Sequence, residues 1–176
     1  MNYAEVKKYD VANGPGIRVS LFVSGCTHHC KGCFNAVTWD FGYGSPYTEK
    51  TEDEVIDALS SDYIRGLSIL GGEPFEPQNL PSVLPLVKRV REIYPDKTIW
   101  CYTGYNFTDD ILGRMIDVRP EVRPFLECID VIVDGKFVEE KKNLRLKFRG
   151  SSNQRIINVK ASLESGETVE INDDKI

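Results

Sequence analysis

Apolar positions follow two rhythms along this chain. Ile17 to Val23 is a β-branched and apolar run, and Leu67 to Leu70, Thr98 to Tyr102 and Ile129 to Val133 are three shorter ones. Short runs of this composition predict strands. Between them the apolar residues recur at helical spacing. Thr51-x-x-Glu54 carries a capping-box pattern ahead of Val55, Ile56 and Leu59, so a helix is expected to start there. Leu80, Val83, Leu84, Val87, Val90 and Tyr94 form a longer stripe. Pro85 is expected in that helix's first turn, because deeper inside it removes a hydrogen bond. Thr108 is expected to cap a third helix, with Ile111, Leu112, Met115 and Ile116 inward and Asp109 and Asp110 in the first turn.

Strands alternating with helices imply a parallel sheet with right-handed crossovers. The chain has 176 residues, and a complete eight-unit barrel takes roughly 250. The expected fold is therefore α/β: an open, partial (β/α) barrel of about six units with a mainly parallel sheet. Residues 1–158 are expected to form that domain. Residues 159–176 form an acidic C-terminal segment, with Glu164 to Ile176 a hairpin or loose tail.

Composition narrows the class. Apolar residues make up 41% and charged residues 28%, with a formal net charge of −5. These values suit a globular protein and argue against nucleic acid as the main partner. No run is long enough to span a membrane, and Met1 to Asp10 has no apolar core to serve as a secretory signal. A cytoplasmic address is expected. The chain has five cysteines, an odd number, and Cys26, Cys30 and Cys33 lie within one short stretch. In a reducing compartment such clustering points to metal ligands or redox groups rather than disulfides. Cys101 and Cys128 sit in apolar runs and are expected to be core residues.

Placement on the expected strands adds meaning. Ser24-Gly25-Cys26 follows the first strand, Gly71-Gly72-Glu73-Pro74 the second, Thr103-Gly104-Tyr105 the third and Asp134-Gly135-Lys136 the fourth. Parallel α/β folds bind ligands at the carboxyl ends of their strands, so these turns should converge on one mouth. The alternative is that short turns simply favour glycine.

Cys26-x-x-x-Cys30-x-x-Cys33 offers three thiolates on one loop. A [4Fe–4S] cluster is usually held by four cysteines, so three leave one iron open for a small molecule. Zinc is one alternative, with His28 or His29 as a fourth ligand; both lie awkwardly between two cysteines and are expected to be solvated spacers. A closed electron-transfer cluster is another, and it needs Cys101 or Cys128.

The cysteine spacing together with the G-G-E-P turn resembles the radical S-adenosylmethionine superfamily. That resemblance implies S-adenosyl-L-methionine chelating the open iron, with Gly71, Gly72 and Glu73 near its amino group. It also implies adenine contact at Gly32, Cys33 and Phe34, although the superfamily's usual aromatic residue before the third cysteine is replaced here by Gly32. Asn13 to Arg18, Phe22 to Cys26, Gly32 to Asn35 with Trp39, Tyr102 to Tyr105, Val133 to Phe137 and Phe148 to Arg155 resemble the glycyl-radical-enzyme activases. Among these they are most similar to the activating proteins of anaerobic ribonucleoside-triphosphate reductases. The implied partners are such a reductase, as protein substrate, and a flavodoxin- or ferredoxin-type electron donor. Rival readings are a pyruvate formate-lyase activator, a deazaguanine synthase, or an iron–sulfur carrier without chemistry of its own. Trp39 to Tyr47 is a contact, a lid or an ordinary loop. Lys141, Lys142, Arg145, Lys147, Arg149 and Arg155 form a basic segment, for which a solvated face is the ordinary meaning. Docking to an acidic partner, or an arginine near a cofactor carboxylate, are the alternatives.

Overall fold

A computed structural model describes residues 1–176. Its centre is four parallel strands, β2 (Ile17–Val23), β4 (Ile64–Gly71), β5 (Thr98–Tyr102) and β6 (Val131–Asp134). Antiparallel strands extend both sides. β1 (Asn2–Asp10) lies beside β2, the two-residue β3 (Ser45–Pro46) beside the start of β1, and β7 (Arg155–Asn158) beside β6. The seven-stranded order is β3-β1-β2-β4-β5-β6-β7. The fold is thus mixed α/β, and the parallel core stands where the apolar runs predict it.

β1 is absent from the expectation because only its last residue, Asp10, is buried. Over most of its length it is an edge strand. Glu5, Lys7 and Lys8 keep that edge soluble while erasing any apolar alternation.

Helices α1 (Glu49–Ala58), α2 (Leu80–Ile93), α3 (Val122–Cys128) and α4 (Val159–Ser165) pack with the sheet. α1 begins one turn earlier than its pattern suggested: Thr48 is the cap and Thr51 the reciprocal partner of the box. In α2 it is Pro81 that sits in the first turn, while Pro85 lies inside the helix. Pro85 there forgoes only the bond to the carbonyl of Pro81, still close to the helix start. The third expected helix is a π-type segment, Phe107–Met115, capped by Asn106 instead of Thr108. The Asn106 side chain accepts from the N–H groups of Thr108 and Asp109, each at 2.9 Å. Phe107 and Ile111 are buried, whereas Leu112, Met115 and Ile116 are only partly so. Cys128 closes α3 rather than opening the next strand, which starts at Val131.

After α4, Gly166 turns the chain through a left-handed conformation. Residues 169–171 then run back along β7, with Asn158 N–H donating to Val169 and Ile171 N–H to Ile156. Ile171 and Ile176 pack against Trp100, Val131, Val133 and Ile156.

The parallel core of the sheet is buried on both faces. Val19, Leu21, Leu67, Ile69, Ile99 and Ile132 point to the helices and join one large core cluster. Of the residues pointing the other way, Phe22, Leu70 and Tyr102 floor a cavity.

Candidate functional site

That cavity holds about 620 Å³ and opens at the carboxyl ends of the parallel strands. Cys26, Cys30 and Cys33 line it together with Gly71, Gly72, Glu73, Gly104 and Gly135. The glycine-containing turns therefore do share one mouth with the cysteines. Gly32 lies on the same loop, against the Glu139 side chain. Phe34 lines the cavity yet is 63% exposed, tilted on Phe137 at 5.2 Å with the Lys142 ammonium 5.1 Å from its ring centre.

The cysteine loop is tied at its root. Gly25 N–H donates to Thr38 at 2.8 Å and Cys26 N–H to Trp39 at 3.1 Å. The Glu76 carboxylate accepts from both Thr27 N–H (2.8 Å) and Thr27 Oγ1 (2.6 Å). The same root is welded to the G-G-E-P turn. Gly72 N–H donates to Val23 and Glu73 N–H to Gly25, at 2.7 and 2.8 Å. A Cβ on Gly72 would stand 2.5 Å from the Gly25 carbonyl oxygen. Gly71 adopts φ +107°. Both glycines are thus required by the approach of one turn to the next, before any ligand is considered.

Glu73 is 1% exposed. Its Oε1 accepts from Phe75 N–H (2.9 Å) and Thr103 Oγ1 (2.8 Å), and its Oε2 from Gly104 N–H (2.7 Å). A carboxylate offers about four acceptor positions. Three are filled by the protein, which locks the β4 and β5 turns together. His28 is no solvated spacer. Its side chain is 7% exposed, its ring meets Tyr105 edge-on at 4.4 Å, and Nε2 lies 3.2 Å from Glu73 Oε2 without hydrogen-bond alignment. His29 stacks on Trp39 at 4.8 Å.

The thiols are all free. Burial pushes Cys26 up to about 11 against the opposing pull of the His28 N–H, and burial also raises Cys30. Such thiols stay protonated near neutrality until a metal displaces the proton. No three Cys, His, Asp or Glu side chains gather as ligands for a single ion. Three thiols spaced around one cavity suit a multi-iron cluster, in which each thiolate holds a different iron, better than a zinc tetrahedron. Cys101 and Cys128 belong to the helix-side core and do not line the cavity.

The buried side-chain atoms His28 Nε2, Tyr102 Oη and Arg149 Nε lack hydrogen-bond partners, and all three residues line this cavity. Unpaired buried polar atoms around one space mark it as built for a ligand. Glu76 was not legible as a site residue, and Tyr102, Thr103 and Gln154 were legible only as members of quoted turns and motifs, without individual roles. Gln154 Oε1 accepts from Gly150 and Ser151 N–H groups while Nε2 donates to Gly135 O at 3.0 Å. Arg155 pairs with buried Asp134, whose Oδ2 also accepts from Phe107 N–H. The F-R-G-S-S-N-Q-R motif thus fixes the cavity's far wall to the Asp134-Gly135 turn.

Comparison with known proteins gives a consistent answer. A family model described as a 4Fe-4S single cluster domain matches residues 12–157. A Vibrio cholerae protein named anaerobic ribonucleoside-triphosphate reductase-activating protein is 48% identical over 158 residues, covering 89% of this chain and 97% of its own. Proteins of the same name from Escherichia coli K12 and Enterobacteria phage T4 are 44% and 43% identical. They cover 88% and 89% of this chain, and 96% and 93% of their own.

Proposed function

The chain belongs to the family of anaerobic ribonucleoside-triphosphate reductase-activating proteins, and from that premise we propose that it installs a glycyl radical in such a reductase. The observation that carries this reading is the meeting of three free cysteines and four strand-end turns on one cavity. Cys26, Cys30 and Cys33 would hold a [4Fe–4S] cluster with one iron open to S-adenosyl-L-methionine. When bound and given one electron, this pair would supply a 5′-deoxyadenosyl radical, with methionine as the leaving group, for abstraction of a hydrogen atom from the reductase's glycine.

The protein's own residues do the positioning. Glu76 and the G-G-E-P turn hold the cysteine loop, so the thiols keep their spacing while the cluster changes charge. Glu73 holds Thr103 and Gly104 in place; a cofactor ammonium would lie against this turn, near the Gly71–Gly72 backbone. Cys33 and Phe34 line the wall where adenine would lie, with Gly32 beside them on the same loop. An adenosyl radical is indiscriminate, so selectivity rests on presenting one C–H and excluding the rest. A glycine suits, having no side chain to block approach and flanking amides to stabilise its radical. Under this reading the sheet is the partial barrel expected from the sequence, open at one side for a partner's loop. A flavodoxin- or ferredoxin-type protein would deliver the electron.

The test is to mix reconstituted, reduced protein with S-adenosyl-L-methionine and the anaerobic reductase. A glycyl-radical doublet in electron paramagnetic resonance is expected on the reductase. Rapid turnover of a free small molecule with no radical on the reductase would replace this reading by a small-molecule radical synthase.

A further inference from the structure

The basic segment acquires a definite place in the fold. Residues 143–150 form a closed strap over the cavity, with Asn143 N–H donating to Gly150 O at 3.1 Å and Lys142 bridging to Ser151. Asn143, Leu146, Phe148 and Arg149 line the cavity beneath. The strap's free side looks out. Leu144, 85% exposed at its tip, also reaches the cavity mouth, and Arg145 is exposed beside it.

Not all of the cations here are available. Lys147 Nζ donates to the backbone oxygens of Asp173 and Ile176, and Arg149 pairs with Asp173 at 2.9 Å, so the C-terminal turn holds the strap down. Glu139 is committed to Lys31 at 3.0 Å across the cysteine loop. Lys136, Lys141, Lys142 and Arg145 are left, four exposed cations within ten residues, none in an ion pair. Glu140 is the one uncommitted acid among them. In a protein of net charge −5, this concentration of positive charge lies on the lip of the cavity, beside exposed Phe34 and Leu144.

We propose that this lip is the docking surface for the protein substrate, and that it takes an acidic polypeptide segment flanking the target glycine. The inference rests on the activase reading above and adds the surface and its chemistry. The strap lines one side of the cavity's mouth. Unpaired cations around an apolar knob steer an acidic chain and then anchor it, and the strap is pre-ordered by its ties to the C-terminal turn, which lowers the cost of docking.

The test uses the full chain with its cluster, chemically reduced so that no electron-donor protein is present. Binding to the whole reductase is measured anaerobically by titration, and radical yield separately by electron paramagnetic resonance. Lys141→Glu/Arg145→Glu should weaken binding by about ten-fold or more at low salt and flatten its salt dependence. Cofactor cleavage in the absence of reductase should be unchanged. Leu144→Ala should weaken binding several-fold at any salt. Unchanged affinity and unchanged salt dependence in the double variant would overturn the proposal, as would, in a parallel run with flavodoxin as the reductant, a loss of radical yield confined to that run. If the reductase binds through this lip but gains no radical, the docking surface stands and the activase reading falls.

Discussion

The two faces of the sheet's parallel core are buried by opposite means. Toward the helices, β2, β4 and β5 present Val19, Leu21, Leu67, Ile69, Ile99 and Cys101, an apolar layer with nothing to satisfy. On the other side the same strands present Arg18, Ser20, Ser68, Trp100 and Tyr102. Arg18 is fully buried there. Its Nε donates to Ser68 Oγ at 2.7 Å and Nη1 to Thr98 Oγ1 at 2.9 Å. Nη2 donates to the carbonyls of Leu67 and Thr98 at 2.8 and 2.9 Å. The guanidinium also lies 5.6 Å from the Trp100 ring centre, and burial lowers its pKa to about 10, still charged at neutrality. Asp10 accepts from Ser20 Oγ and Asn13 Nδ2, both at 2.6 Å, nearby. One face stabilises the fold by area and packing. The other carries buried polar groups, most of them tied to a partner, beside a cavity that Phe22, Leu70 and Tyr102 line.

The largest expected effect separates the faces by activity. Cys30→Ala, on the half-buried cavity loop, should abolish the iron–sulfur absorption and the glycyl radical, with the melting temperature of the metal-free protein barely moved. A variant that keeps its full iron content would remove Cys30 from the ligand set.

Stability comes next. Leu67→Ala, on the helix face, should cost about 2–5 kcal/mol by opening a core cavity. Arg18→Met should cost about 3 kcal/mol by a different route, removing the donors to Ser68 Oγ, Thr98 Oγ1 and the carbonyls of Leu67 and Thr98. Denaturant titration checks both. Should Arg18→Met stabilise the protein instead, the polar face would be replaceable by apolar packing and the contrast would fail.

A smaller effect is expected at the junction. Glu73→Gln should cost about 1.5–3 kcal/mol, because the amide nitrogen replaces an acceptor of charge-assisted bonds from Thr103 or Gly104. Weakened S-adenosyl-L-methionine binding in calorimetry should accompany that loss. Affinity unchanged alongside lowered stability would confine Glu73 to bracing the turns.

The helix face and the parallel strands were readable because burial against helices demands apolar residues at fixed spacing, as at Leu80, Val83 and Val87. The cysteine mouth was readable because its chemistry requires named residue types. Other features leave weaker traces. β1 hides because an edge strand carries charge, and α3 because seven residues give little periodicity. His28, Glu76 and Thr103 matter through contacts made across loops, which no local pattern encodes. Gly71 and Gly72 were legible as glycines with a purpose, but the structure shows that the purpose begins with the Gly25 turn.

The central claim is that the cavity-face thiols alone hold the cluster. Its most direct test is the Cys101→Ala/Cys128→Ala double variant, which removes both helix-face thiols and leaves Cys26, Cys30 and Cys33. After anaerobic reconstitution it should carry the same iron and sulfide per chain as the parent. It should also cleave S-adenosyl-L-methionine to 5′-deoxyadenosine at the same rate, with only a modest loss of stability. Loss of iron, or an intact cluster that no longer cleaves the cofactor, would contradict the account.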